Sequence, residues 1–169
     1  MAENRPYRIT GLAKGAGMIM PNMATMLCFI LTDVQIASGP LRQVLRVCAE
    51  KTFNRISVDG DTSTNDMVLM LANGMAGNTA LREKDHARFQ EGLTGVMEDL
   101  ARMIVKDGEG ATKLVDVVIN NALSAEDALN AARTVANSSL VKTAFYGQDP
   151  NWGRIMAALG RADVDMDEA

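Results

Sequence analysis

Ala24-Thr25-Met26-Leu27-Cys28-Phe29-Ile30-Leu31-Thr32 is the stretch on which the fold turns. It contains the longest apolar run of the chain, residues 26–31, and a share of β-favouring side chains. A run this short suits a strand buried in a sheet rather than a membrane span. Pro21-Asn22 just before it is a turn signal. Further upstream, residues 7–12 can form a short strand, and residues 14–17 read as a turn because two glycines flank one alanine. Downstream, Ser38 is expected to cap a helix in which Leu41, Val44, Leu45 and Cys48 recur at helical spacing, running to about Phe53.

The alternation continues. Residues 59–66 are dense in Asp, Thr, Ser and Asn and read as a polar loop. Residues 67–72 form an apolar strand, and residues 74–78 break it. A long helix is expected over residues 85–105, with Phe89, Leu93, Val96, Met97, Leu100 and Ile104 on one face. The glycines of residues 107–110 end it. Valine-rich residues 114–119 suggest a further strand. Ser124 with Asp127 resembles a capping box for a helix carrying Ala128, Leu129, Ala132 and Val135, and residues 152–159 form a last helix. No repeat, low-complexity segment or linker interrupts the chain. Alternating strands and amphipathic helices predict one layered α/β domain over residues 1–169.

Composition narrows the function classes. The 169 residues are 47% hydrophobic and 22% charged, as in soluble globular proteins, and a net charge of -4 argues against a nucleic-acid surface. Met1-Ala2-Glu3-Asn4-Arg5-Pro6 lacks the apolar core of a signal peptide. Cys28 and Cys48 sit among apolar residues and are expected as free buried thiols of a cytoplasmic protein. The 12 methionines are expected to fill core.

Common catalytic sets are scarce. His86 is the single histidine and lies in the charged stretch Glu83-Lys84-Asp85-His86, where a solvated surface position is expected. No His/Cys cluster has metal-ligand spacing, and no phosphate loop is present. Three features remain. In Lys14-Gly15-Ala16-Gly17-Met18-Ile19-Met20-Pro21-Asn22-Met23-Ala24-Thr25-Met26-Leu27, a glycine-flanked lysine precedes a threonine that opens an apolar strand. Were the Ala24–Thr25 bond broken, Thr25 would hold a hydroxyl nucleophile beside an α-amine able to act as its base, since such amines have a reference pKa of about 8. Taken locally, Thr25 reads as a β-favouring residue at a strand start. Asp59-Gly60-Asp61-Thr62-Ser63-Thr64-Asn65-Asp66 could bind a polar amino acid or a cation, although a self-bonded turn is the simpler local reading. In Asp107-Gly108-Glu109-Gly110-Ala111-Thr112-Lys113, Glu109 could pair with a substrate ammonium, or be an incidental acid in a helix-terminal turn.

Together with Asn137 to Thr143 and Asp149-Pro150-Asn151-Trp152-Gly153-Arg154-Ile155, these segments resemble the ornithine acetyltransferase (glutamate N-acetyltransferase) family over nearly the whole chain. The resemblance implies cleavage between Ala24 and Thr25 and a fold of sheets sandwiched between helices, similar in chemistry to N-terminal-nucleophile hydrolases but with its own topology. It implies acetyl transfer from N-acetylornithine to glutamate through an acetyl-Thr25 intermediate in arginine biosynthesis, with no cofactor and no metal. Some relatives also accept acetyl-CoA. Lys14 and Glu109 match substrate-contacting positions.

The resemblance also implies a longer whole. Residues 1–24 correspond to the end of the family's first subunit and residues 25–169 to most of its second. The oxyanion-stabilising Thr-Gly pair belongs to a segment before residue 1, and an Asn with a Ser or Thr that contact substrate belongs to a C-terminal extension. The expected partners are that missing segment, an oligomer of both subunits and the two small-molecule substrates, with neither nucleic acid nor membrane. The alternatives are a non-catalytic module of the same scaffold and an aminopeptidase using the same nucleophile with water as acceptor.

Overall fold

A computed structural model of the chain describes residues 5–20, 26–62 and 64–165. The chain packs as two compact units, Met1–Glu109 and Gly110–Ala169. The boundary falls inside the glycine-bounded stretch after the long helix, where the sequence marks no linker.

The first unit is a three-stranded sheet with two helices on one face. Strands β1 (Ile9–Lys14), β2 (Leu27–Thr32) and β3 (Met67–Ala72) lie in the order β1-β2-β3. β1 runs antiparallel to β2, and β2 parallel to β3. Parallel neighbours need a crossover, supplied here by helix α1 (Ser38–Lys51) and a 3-10 turn (Phe53–Arg55). Helix α2 (Glu83–Lys106) follows β3. It carries Glu83 and Asp85 in its first turn and Lys106 in its last, matching the helix dipole at both ends.

Alternation along the strands fixes the core side. Cys28, Ile30 and Met70 are buried, and Phe89, Leu93, Met97, Ala101 and Ile104 of α2 form a buried stripe with Val44 and Cys48 of α1 in the same cluster. Ile19, Met26, Val34 and Phe53 join it. Each fully buried large side chain stabilises by roughly 1.5–3 kcal/mol. Gly11 is where α2 approaches β1: a Cβ there would stand 2.7 Å from Leu100 Cδ1 and 2.8 Å from Ile30 Cδ1. The other face differs from the doubly buried strands expected from the apolar runs. Leu12 of β1, Leu27 and Leu31 of β2, and Met67, Leu69 and Leu71 of β3 are all exposed.

Two local expectations fail for physical reasons. Ser38 is not the cap of α1: Leu41 N–H donates to Ala37 O at 3.0 Å, so the helix starts one residue earlier and no side chain caps it. His86 is not a solvated surface residue, because it is half-buried near the start of α2 and its Nε2 is buried, with no hydrogen-bond partner among the described residues.

The second unit is helical: α3 (Ala125–Ala136), α4 (Ser139–Tyr146) and α5 (Trp152–Leu159). Val135, Val141 and Ala158 are buried together, with Val117, Phe145, Ile155 and Leu159 packed on them. The strand expected over residues 114–119 is absent; those residues carry no regular structure. A valine-rich segment becomes a strand only when another strand completes its hydrogen bonds, and its β preference is a packing preference rather than a backbone one. Ser124 caps α3 as the sequence suggests, accepting from Asp127 N–H at 3.0 Å. In the Asp149 to Arg154 stretch, Asn151 Oδ1 accepts from Arg154 N–H at 3.2 Å and so caps α5. The Arg154 guanidinium then bonds Leu140 O at 3.0 Å and Thr143 Oγ1 at 3.1 Å, tying α5 to α4.

Candidate functional site

Strand register gathers the chemistry-bearing residues of the first unit at one end of its sheet. Lys14 pairs with Leu27, and Leu27 with Met67. Lys14, the residues entering β2 and Asp66 therefore share that end. Ala24 and Thr25 lie outside the described residues, as does the Pro21-Asn22 turn. Met26, bonded covalently to Thr25, is described and buried.

The polar loop of residues 59–66 is anchored mainly outside itself. Asp59 Oδ2 accepts from Met18 N–H at 2.6 Å and Oδ1 from Ile19 N–H at 3.0 Å. Met18 is held at φ 54°, a conformation that a side chain other than glycine adopts only when its surroundings fix it. Thr62 Oγ1 donates to Met20 O at 3.1 Å, and Asp66 Oδ1 accepts from Met26 N–H at 2.7 Å. Within the loop, Asp61 N–H donates to Asp59 Oδ1 at 3.0 Å. The turn that local sequence favours is thus also a clasp on distant chain. It grips the chain at residues 18–20 and again at residue 26, on both sides of the segment that holds Ala24 and Thr25. No sequence spacing signals this, because the partners are about 40 residues apart.

The end of α2 brings in the third segment. Ala13, Lys14, Gly15, Ala16 and Gly17 line a groove with Leu100, Met103, Ile104, Lys106 and Asp107. Glu109 N–H donates to Ala16 O at 2.8 Å, and Glu109 Oε2 lies 3.4 Å from where a Gly17 Cβ would stand. Asp59 Oδ2 is 4.0 Å from that same point. Gly108 must be a glycine for this closure: a Cβ would meet Val58 Cγ1 at 2.9 Å and Val105 O at 3.1 Å. Lys14 thus lies in the groove wall, and Glu109 reaches the glycine-flanked loop that continues it. A cation and two carboxylates around a bare backbone loop are suited to a ligand that carries both charges.

Among ionisable groups, Asp66 stands out. Its Oδ2 is buried and has no hydrogen-bond partner among the described residues. Burial pushes its carboxyl above the usual range, opposed by the Met26 N–H that binds Oδ1. The thiols are poor nucleophile candidates: burial pushes Cys28 up to about 11, and it raises Cys48 against the opposing effects of Thr94 and Lys51. Among the described residues, no three His, Cys, Asp or Glu side chains are placed to hold a metal ion, and no helix is long and apolar enough to cross a membrane.

Comparison with known proteins places this arrangement. The ArgJ family model matches residues 1–169, the whole of the sequence. The chain belongs to the ArgJ family. It is 58% identical over 159 residues to the arginine biosynthesis bifunctional protein ArgJ of Desulfotalea psychrophila, an alignment covering 93% of this chain and 40% of that protein. It is 54% identical over 166 residues to the glutamate N-acetyltransferase of Methanocaldococcus jannaschii, covering 97% of this chain and 41% of that protein. The crystal structure of the arginine biosynthesis bifunctional protein ArgJ from Bacillus halodurans superposes with a TM-score of 0.80 at 46% identity, covering 83% of this chain and 67% of that one. The mixed α/β architecture is therefore that of an ArgJ protein. The chain spans about two fifths of the length of the curated relatives it matches.

Proposed function

We propose that this chain supplies the nucleophile and part of the substrate-binding wall of an ArgJ acetyltransferase, transferring acetyl from N-acetylornithine to glutamate. In this scheme the Ala24–Thr25 bond is cut by the chain itself, and Thr25 becomes the head of a new subunit in a sheet-and-helix fold of the threonine-nucleophile type. The freed α-amine takes the proton of the Thr25 hydroxyl, and Oγ attacks the acetyl carbonyl of the donor. The tetrahedral intermediate collapses, the amine returns its proton to the leaving ornithine nitrogen, and acetyl-Thr25 is left. Glutamate then attacks that ester with its own amine and restores the hydroxyl. Lys14 binds a substrate carboxylate and Glu109 a substrate ammonium. Donors that stabilise the oxyanion come from chain beyond these residues.

One observation carries the proposal most directly. The described residues that flank Ala24 and Thr25 in the sequence, Met18 and Met20 before them and Met26 after, are bound by Asp59, Thr62 and Asp66, and Glu109 also meets the Gly15–Gly17 loop that follows Lys14. A bond that must be cut in one place, and a nucleophile that must then act there, both need such fixing.

The test uses the chain joined to the flanking segments of the M. jannaschii relative. Intact-mass analysis is expected to show two pieces divided before Thr25. An assay with acetylornithine and glutamate should show transfer, and Thr25→Ala should abolish both. Transfer by the Thr25→Ala protein would overturn the proposal. Release of free acetate with no gain of acetylglutamate would point to a hydrolase instead.

A further inference from the structure

Two segments that carry the family resemblance, Asn137 to Thr143 and Asp149 to Ile155, take no part in the proposed chemistry. In the second unit they border one hollow of about 400 Å³, within the size range of small-molecule sites. Ser138, Ser139 and Leu140 at the start of α4 line it, together with Arg154 of α5 and Arg161 just beyond that helix. Ala157 and Ala158 give it a floor of small side chains. The charged residues in this lining are both arginines, so no carboxylate of the lining balances them.

Tying α4 to α5 accounts for part of the arrangement. Arg154 Nη1 donates to Leu140 O at 3.0 Å and to Thr143 Oγ1 at 3.1 Å. Those bonds use one nitrogen and orient the planar guanidinium, whose other N–H groups are further donors. The tie does not call for Arg161, which is exposed and follows the end of α5. Two guanidinium groups on one hollow raise its potential and favour an anion there.

Neutral donors lie on the same lining. Ser138 is only 5% exposed. Its Oγ accepts from Val141 N–H at 3.4 Å, and its hydroxyl proton meets no acceptor among the described residues. A buried hydroxyl with an unspent proton beside a hollow marks a place for an acceptor. Ser138 Oγ takes Val141 N–H, and Ser138 O takes Lys142 N–H at 2.9 Å. The amides of Ser139 and Leu140 are the donors left over at this helix start.

We infer that this hollow binds a phosphate group, either free or esterified to a small molecule. Arg154 and Arg161 pair with its charge, and the Ser138 hydroxyl and the Ser139 and Leu140 amides donate to its oxygens. The number and spread of donors set the class: a phosphate group presents three or more acceptor oxygens where a carboxylate presents two. This site goes beyond the proposed function and does not depend on it, since every residue involved belongs to the second unit.

The test uses the chain joined to the flanking segments of the M. jannaschii relative and labelled with nitrogen-15. Inorganic phosphate is added at constant ionic strength while the amide signals of Ser139 and Leu140 are followed. Both signals should move to saturation in the millimolar range or below. Arg161→Gln should raise the half-saturating concentration on the order of tenfold, because one charge-assisted contact is lost. Arg42→Gln removes an exposed arginine of α1 and should leave that concentration unchanged. Ala157→Glu sets a carboxylate at an exposed position of the lining and should abolish saturation even if Arg161→Gln fails to fold. Glycerol phosphate separates the two sources. Tighter binding than inorganic phosphate assigns an ester whose organic part rests on Leu140 and Ala157, weaker binding assigns the free ion, and either supports the site. Signals that saturate with neither compound overturn the inference. So does equal affinity in the wild type and a folded Ala157→Glu protein. Acetate binding as tightly as phosphate overturns the assignment to phosphate.

Discussion

Both carboxylate oxygens of Asp59 are taken up by backbone amides, those of Met18, Ile19 and Asp61. The first two belong to the turn that carries on from the glycine-flanked loop beside Lys14. Asp59 is exposed, so its bonds compete with water, and replacing it by Ala should lower stability by only about 1–2 kcal/mol. Activity should suffer more. Met18 at φ 54° needs to be held, and a turn that relaxes shifts Lys14 relative to Glu109. Misplacement by about 1 Å can cost on the order of 100-fold. Asp59→Ala in the chain joined to its flanking segments is therefore expected to lower kcat/KM well beyond its effect on the denaturation midpoint. Wild-type kcat/KM in a variant that has lost the expected stability would show that the clasp is structural only. Asp66 and Asp59 lie only seven positions apart in one polar run, yet the sequence does not separate their roles. Both are acidic loop residues until the fold supplies Met18 and Met26 as their partners.

At the scale of elements, packing of β2 against α1 and α2 makes a prediction about pH. Cys28 is buried and its thiol is raised from 9.0 to about 11. The unfolded chain loses this proton first as pH rises. The folded state therefore keeps its full advantage below pH 9 and loses it progressively between pH 9 and about 11. The loss attributable to this thiol is up to ~3 kcal/mol at 1.36 kcal/mol per unit. Comparing wild type with Cys28→Ala in urea titrations across that range isolates it, because other groups titrating there are common to both. Equal pH slopes in the two proteins would contradict the assignment. At Gly11 the expected effect is steric: Val there would drive into Leu100 and Ile30 and destabilise by roughly 1–3 kcal/mol. How far these elements were legible follows from where their stability arises. β3 and α5 match their expected bounds, and α2 is longer than expected by two residues at the start and one at the end, because each carries its own periodic apolar face. β1 is displaced two residues from the expected strand, since antiparallel register with β2 sets its limits. The 114–119 segment had propensity but no ladder. Helix α4, absent from the sequence reading, is eight residues long and rests on the Ser138 cap and contacts with α3 and α5, too short a pattern to stand out.

For the molecule as a whole, the outward face of the sheet matters most. Leu12, Leu27, Leu31, Met67, Leu69 and Leu71 are exposed by 38–57% and stand in adjoining register rows across three strands. A contiguous apolar surface of this kind marks a contact that another polypeptide makes, or a liability to association. Among the described residues, strands β1 and β3 also leave sheet edges that further strands can extend. Relatives about two and a half times as long have ample chain to cover both. A polypeptide of these 169 residues alone is thus expected to self-associate and to bind a hydrophobic dye, despite its net charge of -4. Joining the flanking segments of a full-length relative should remove both properties. Replacing Leu31 and Leu71, which pair across β2 and β3, by Lys should reduce association of the isolated chain while leaving its circular dichroism unchanged. Both side chains point away from the helices, so the core is untouched. Light scattering at micromolar concentration decides the matter. A monomer that binds no dye would mean that the sheet face is covered from within these residues, and that the remainder of an ArgJ protein docks elsewhere.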